Sequence, residues 1–134
     1  MATKNYKKVA PKGSTVCPYL MVDSVEAQME FLVKVFYASI TNDTNRVDGF
    51  IQHGEVLIGG TTIMMGRASK LYPARLSMNY VYVENADEVY SRALKNGATE
   101  LMSPVDRDYG NREGGFTDLF GNQWWVAQII NQPN

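Results

Sequence analysis

Cysteine and histidine, the side chains from which most metal and redox sites are built, are almost missing: Cys17 and His53 are the only ones in 134 residues. A lone cysteine excludes an internal disulfide framework and fits a reducing, cytoplasmic compartment. Excess charge is missing too. Thirteen Lys and Arg stand against fourteen Asp and Glu, for a formal net charge of -1. That leaves no electrostatic case for a nucleic-acid partner. No apolar run approaches the roughly 20 residues needed to cross a bilayer, so no membrane partner is expected. Lys4, Lys7, Lys8 and Lys12 are not followed by an apolar stretch; residues 1–13 read as a basic tail rather than a secretory signal. There is no Gly-rich phosphate loop, Cys-x-x-Cys pair or serine nucleophile elbow. What remains is an ordinary globular composition, 45% hydrophobic and 20% charged, in a chain long enough for one domain, expected over 14–130. Residues 131–134 read as a second short tail.

The pattern along the chain alternates strand and helix. Residues 15–22 are β-prone and read as a strand, and Ser24 can cap the helix that follows. Val25, Met29, Leu32, Val33 and Phe36 fall at helical spacing, with Glu26, Glu30 and Lys34 on the wet side. Residues 42–49 are polar and read as a loop tip. Residues 50–58 and 61–65 read as strands joined through Gly59-Gly60. Residues 67–73 read as a connector. A further strand over 76–83 leads to a helix over 86–96, which Gly97 is suited to stop. Strands over 99–105, 115–119 and 123–130 complete the chain, with a turn at Phe120-Gly121-Asn122.

The halves repeat. Cys17 to Val22 lies over Met78 to Val83 at a shift of 61 residues, and Val25, Met29 and Val33 lie over Ala86, Tyr90 and Leu94 at the same shift. Gly60-Thr61-Thr62-Ile63-Met64-Met65 lies over Gly121-Asn122-Gln123-Trp124-Trp125-Val126, again without a gap. Two copies of strand–helix–strand–strand–strand follow, one over about 14–67 and one over about 75–130.

Several segments resemble the glyoxalase/bleomycin-resistance/dioxygenase (vicinal oxygen chelate) superfamily, in particular its PhnB-like branch. They are Pro18-Tyr19-Leu20-Met21-Val22, His53-Gly54-Glu55-Val56-Leu57-Ile58-Gly59, Val81 to Asp87, and the closing stretch from Gly114 to Trp125. The resemblance implies an α+β fold in which two βαβββ modules form a cupped mixed sheet with helices outside. It also implies a homodimer, since such modules often complete their cup across a subunit boundary.

In the metal-dependent members of that superfamily, four His, Gln or Glu side chains enter the cup from the first and last strand of each module. The matching positions here are Cys17, Met64, Met78 and Trp125. One thiol, two thioethers and an indole are poor company for a divalent ion, so neither a metal nor any other cofactor is expected. Strand alternation puts Tyr19, Met21, Thr62, Tyr80, Tyr82 and Gln123 on the same face. It turns Leu20, Val22, Ile63, Met65, Val81, Val83, Trp124 and Val126 toward the helices.

The expected function is therefore metal-free binding of a small, partly aromatic organic molecule by Cys17, Tyr19, Met64, Met78, Tyr80, Tyr82 and Trp125. The alternative is a lyase, isomerase or dioxygenase-type enzyme whose site lies elsewhere, and no catalytic residue is assigned. A third reading is a structural dimer with a filled cup. His53, beside Glu55, reads either as an acid/base group or as a structural histidine. Asp106 to Gly115 reads as a loop at the cup mouth, either a gate or merely solvated.

Overall fold

A computed structural model describes residues 5–11 and 13–131. The expected tails therefore fall partly outside the described residues, at 1–4, 12 and 132–134. The first module runs β1 (Tyr19–Val22), α1 (Val25–Phe36), β2 (Ser39–Val47), β3 (Phe50–Ile58) and β4 (Thr61–Arg67). The second runs β5 (Met78–Tyr82), α2 (Ala86–Lys95), β6 (Thr99–Asp106), β7 (Asn111–Thr117) and β8 (Gln123–Ile129). The sheets have orders β1-β4-β3-β2 and β5-β8-β7-β6. In each, the first strand pairs parallel with the last, and the other pairings are antiparallel. The expected α+β fold of two βαβββ modules is thus present, with the same topology in both halves.

Local chemistry explains the helix ends. The Ser24 side chain accepts from the Ala27 N–H at the start of α1, and the Asn85 side chain accepts from the Glu88 N–H at the start of α2. Helix α1 closes on Tyr37, in the left-handed region at φ 55. Arg92 of α2 holds that end: its guanidinium stacks 4.2 Å over the Tyr37 ring and donates twice to the Val35 carbonyl. A cation on the last free carbonyls of a helix is favourable. Gly97, at φ 96, follows α2 as expected.

Two polar stretches behave differently from their expected loops. Residues 42–47 belong to the edge strand β2, and Asp48 and Gly49, both at positive φ, make the tight turn into β3. Asn111 to Gly115 belongs to β7, so the stretch from Asp106 to Gly115 is no cup-mouth loop. Only a short turn, closed by the Gly110 N–H on the Arg107 carbonyl, separates β6 from β7.

The helices cover one face of each sheet, and both halves share one core. Leu20, Val22, Ile63 and Met65 from the first sheet and Phe116, Trp124 and Val126 from the second are all buried. Phe36 of α1 lies 5.4 Å from Trp124, and Phe31 lies 6.3 Å from Phe116. Each such side chain contributes about 1.5–3 kcal/mol by leaving water. The expected inward set is buried, except that Val81 and Val83 are only partly so. A polar clasp crosses the core. Asp118 accepts from Gln28 Nε2 of α1, from Trp124 Nε1, and from the N–H groups of Phe120 and Asn122. Asn122 Nδ2 in turn donates to Gln28 Oε1. Among the described residues, no helix is long and apolar enough to cross a membrane.

Candidate functional site on the outer sheet faces

Opposite the core, the outer face of each sheet carries the remaining alternation. Tyr19, Met78, Tyr80 and Tyr82 are 51%, 71%, 48% and 66% exposed there. Three of these four side chains stand on β5 and one on β1, so the exposed aromatic and thioether surface is concentrated on the second sheet. Of the expected quartet, Met64 stands on the first sheet and Met78 and Trp125 on the second; the strand expected over 15–22 starts only at Tyr19, which leaves Cys17 outside it. Cys17 precedes β1, and its thiol donates to the Ser14 carbonyl at 3.4 Å. Met64 stands on β4, directly beside Tyr19. Cys17 and Met64 share a pocket of about 410 Å³ with Glu55, Thr62, Ala10 and Pro11. Met78, Tyr80 and Tyr82 also border a separate open depression of about 520 Å³ along the edge of β5, whose other side is lined by Pro18 and the Gly59-Gly60 turn. Trp125 lies across Gly115, where an added Cβ would come 2.6 Å from the indole, and its N–H donates to Gln123 Oε1.

Two hydrogen-bonded clusters on these faces were not assembled from the sequence. On the first sheet, Tyr19 Oη is 2.9 Å from His53 Nδ1, and His53 Nε2 is 2.8 Å from Glu55 Oε2. The tyrosine reaches across Gly66, which pairs with His53. A Cβ at Gly66 would stand 3.0 Å from Tyr19 Cε1 and 3.1 Å from its hydroxyl. On the second sheet, Tyr80 and Tyr109 donate to the two oxygens of the buried Glu113, at 2.6 and 2.5 Å. Asn111 Nδ2 donates to Tyr80 Oη, and Arg107 lies 3.6 Å from Glu113. Partial burial, then the Glu113 carboxyl, push the Tyr80 hydroxyl up to about 12.

The clusters occupy equivalent places. Tyr19 and Tyr80 are related by the 61-residue shift. Strand register makes His53, opposite Gly66, the counterpart of Glu113, opposite Ala127. Along β3 and β7 the offset is one residue smaller, which hides this equivalence in a gapless comparison. The one usable signal in the sequence was His53 and Glu55 two apart on a strand, hence on one face.

A duplicated βαβββ unit with residues presented from its first and last strands defines a glyoxalase-like fold. The chain belongs to the Glyoxalase/Bleomycin resistance protein/Dioxygenase superfamily, whose family model matches residues 14–126. An uncharacterised protein of Mycobacterium bovis is 28% identical over 128 residues, covering 87% of this chain and 84% of the relative. Among solved structures, TioX from Micromonospora sp. ML1 superposes with a TM-score of 0.75 at 23% identity, covering 88% of this chain and 100% of that one. A glyoxalase-related enzyme from Fulvimarina pelagi gives a TM-score of 0.71 at 15% identity, covering 90% and 91%. At these identities the structures establish the shared fold.

The four side chains expected at the superfamily's metal positions do not have the chemistry to fit a divalent ion. Cys17 is engaged as a thiol donor, Met64 and Met78 offer soft thioethers, and the Trp125 indole has no lone pair for a metal. Among the described residues, no three His, Cys, Asp or Glu side chains are grouped so that they could hold an ion.

Proposed function

We propose that this chain is a metal-free, PhnB-like member of the superfamily that binds a small, partly aromatic organic molecule. The observation that carries this reading is the pair of outer faces, lined by Tyr19, Met64, Met78, Tyr80, Tyr82 and Trp125 in place of a ligand set. Aromatic contacts contribute about 0.5–1.5 kcal/mol per pair beyond area burial, and methionine adapts to irregular rings. The Tyr80 hydroxyl, pinned by Glu113 and Asn111, offers a fixed polar contact of the kind that orients a ligand.

The working unit is a homodimer. Met64, which shares its pocket with Cys17, and Met78 with Trp125 lie on separate sheets, so a cup uniting all four needs the first sheet of one copy against the second sheet of another. The single thiol supports a cytoplasmic setting.

A thermal-shift screen of planar aromatic compounds, run beside light scattering, tests this. A dimer whose melting temperature rises with ligand concentration is the expected result. A monomer unresponsive to the whole panel refutes it.

A further inference from the structure

We infer that His53, backed by Glu55 and fronted by Tyr19, is a metal-independent general base serving the outer face of the first sheet. The chain of contacts has a definite sense. An ionised carboxylate only accepts hydrogen bonds, so His53 Nε2 carries the proton it gives to Glu55 at 2.8 Å. In the neutral ring Nδ1 is then bare, and the Tyr19 hydroxyl at 2.9 Å donates to it. A carboxylate orienting an imidazole that in turn draws on a hydroxyl is the arrangement that activates a nucleophile or base.

Three further observations bear on access to this relay: the exposure of Tyr19, a neighbouring pocket that Glu55 lines but Tyr19 and His53 do not, and Gly66. Tyr19 is half exposed and stands beside Met64, while Met64 pairs with Glu55 across β3 and β4. Glu55, Met64 and Cys17 line the 410 Å³ pocket. Gly66 leaves the room that the Tyr19 ring uses to reach His53, since a Cβ there would crowd both the ring and its hydroxyl. The equivalent place in the second module holds Glu113, closed off by two tyrosines and an arginine. The first module therefore presents an imidazole whose acceptor nitrogen is reached through the half-exposed Tyr19 hydroxyl, with both ring nitrogens engaged.

The step is proton abstraction from a neutral, flat organic molecule with an acidic C–H. The substrate proton passes to the Tyr19 oxygen as the Tyr19 proton moves to His53 Nδ1. His53 becomes an imidazolium paired with Glu55, the electron pair stays on the substrate, and the ring later returns its proton to water or to another substrate atom. No metal, oxidant or cofactor enters. Tyr19 and His53 are catalytic residues; Glu55 is a positioning residue. The inference depends on the binding proposal for where the substrate lies, and the test separates the two.

The probe is nitrobenzisoxazole, a planar aromatic. A base takes its C–H proton, the N–O bond breaks, and a coloured cyano-nitrophenolate appears. The full-length protein is expected to give a saturable rate above buffer containing the same concentration of free imidazole. His53→Gln lowers the protein-dependent rate about 100-fold, within the usual range for a general base. Imidazole added to His53→Gly restores part of it, which a merely structural histidine would not show. Glu55→Gln lowers the rate and changes the tautomer signature of the ring in ¹⁵N NMR, unambiguous here because His53 is the only histidine. Circular dichroism confirms that each variant is folded. Absence of saturable turnover, or an unchanged rate in folded His53→Gln, overturns the inference. A probe that raises the melting temperature without reacting overturns it while leaving the binding proposal standing.

Discussion

Replacing Asp118 by Asn is the sharpest perturbation of the frame that holds both outer faces. The change is nearly isosteric, so it leaves no cavity and isolates the polar clasp. Gln28 Nε2 and Trp124 Nε1 both donate to Oδ2, at 3.0 and 2.9 Å, while the Phe120 and Asn122 N–H groups donate to Oδ1 at 2.9 and 3.0 Å. An amide has one acceptor oxygen. Whichever way it turns, its NH₂ confronts two N–H donors in a site where Gln28, Asn122 and Trp124 are at most 1% exposed. A buried donor left without an acceptor costs about 1–3 kcal/mol. Two of them, after partial relaxation, amount to about 3 kcal/mol. For a chain of this size a urea m-value near 2 kcal/mol/M converts this to a midpoint lowered by about 1.5 M. Equilibrium urea unfolding at neutral pH, followed by tryptophan fluorescence, reads it directly. A midpoint lowered by less than about 0.5 M with an unchanged slope would refute the claim that these donors depend on Asp118.

Gly66→Ala should cost about 1–3 kcal/mol in urea unfolding, because the new methyl meets the Tyr19 ring across the strand; it should also shift the His53 ¹⁵N signals, and unchanged signals would refute the Tyr19–His53 contact. Alkaline stability should fall between pH 10 and pH 12. Tyr80 and Tyr90 are each raised to about 12, chiefly by burial and then by Glu113 and Glu100 respectively. The folded state thus holds these protons more tightly, a contribution fully present below pH 10 and lost as pH rises to 12. Urea midpoints across that window should fall more steeply in the native protein than in the Tyr80→Phe, Tyr90→Phe double variant. Chelation should leave the melting temperature unchanged, and a drop after dialysis against EDTA would contradict the reading of Cys17, Met64, Met78 and Trp125.

Most elements that bury one face were legible in the sequence, whereas the edge strand β2 was not and β7 was legible only in part. β1, β4 and β8 alternate because one side of each meets the core, and the helices announce themselves through Ser24, the apolar stripe from Val25 and Gly97. β2 is an edge strand whose nine residues are all at least partly accessible, so polar residues serve on both sides and the period-two signal vanishes. β7 was half missed because Arg112 and Glu113 look like loop residues. In the fold Glu113 is satisfied by Tyr80 and Tyr109, and Arg112 by Asp87 and Asp106. The outer-face positions followed from alternation once the family resemblance had fixed Cys17, Met64, Met78 and Trp125. Tyr19 and His53 did not, since they are 34 residues apart and meet only through strand register and the gap above Gly66.

The unlike partners of Tyr19 and Tyr80 make the duplicated scaffold chemically lopsided. Had both modules kept the same group there, the polar anchor beneath the two phenols would be the same at either end. With an imidazole beneath one phenol and a carboxyl beneath the other, the two ends of a guest bridging a first sheet and a second sheet meet different hosts. The near-symmetric frame thereby acquires a head and a tail, and the His53/Glu113 difference adds to those already present at Cys17/Met78 and Met64/Trp125.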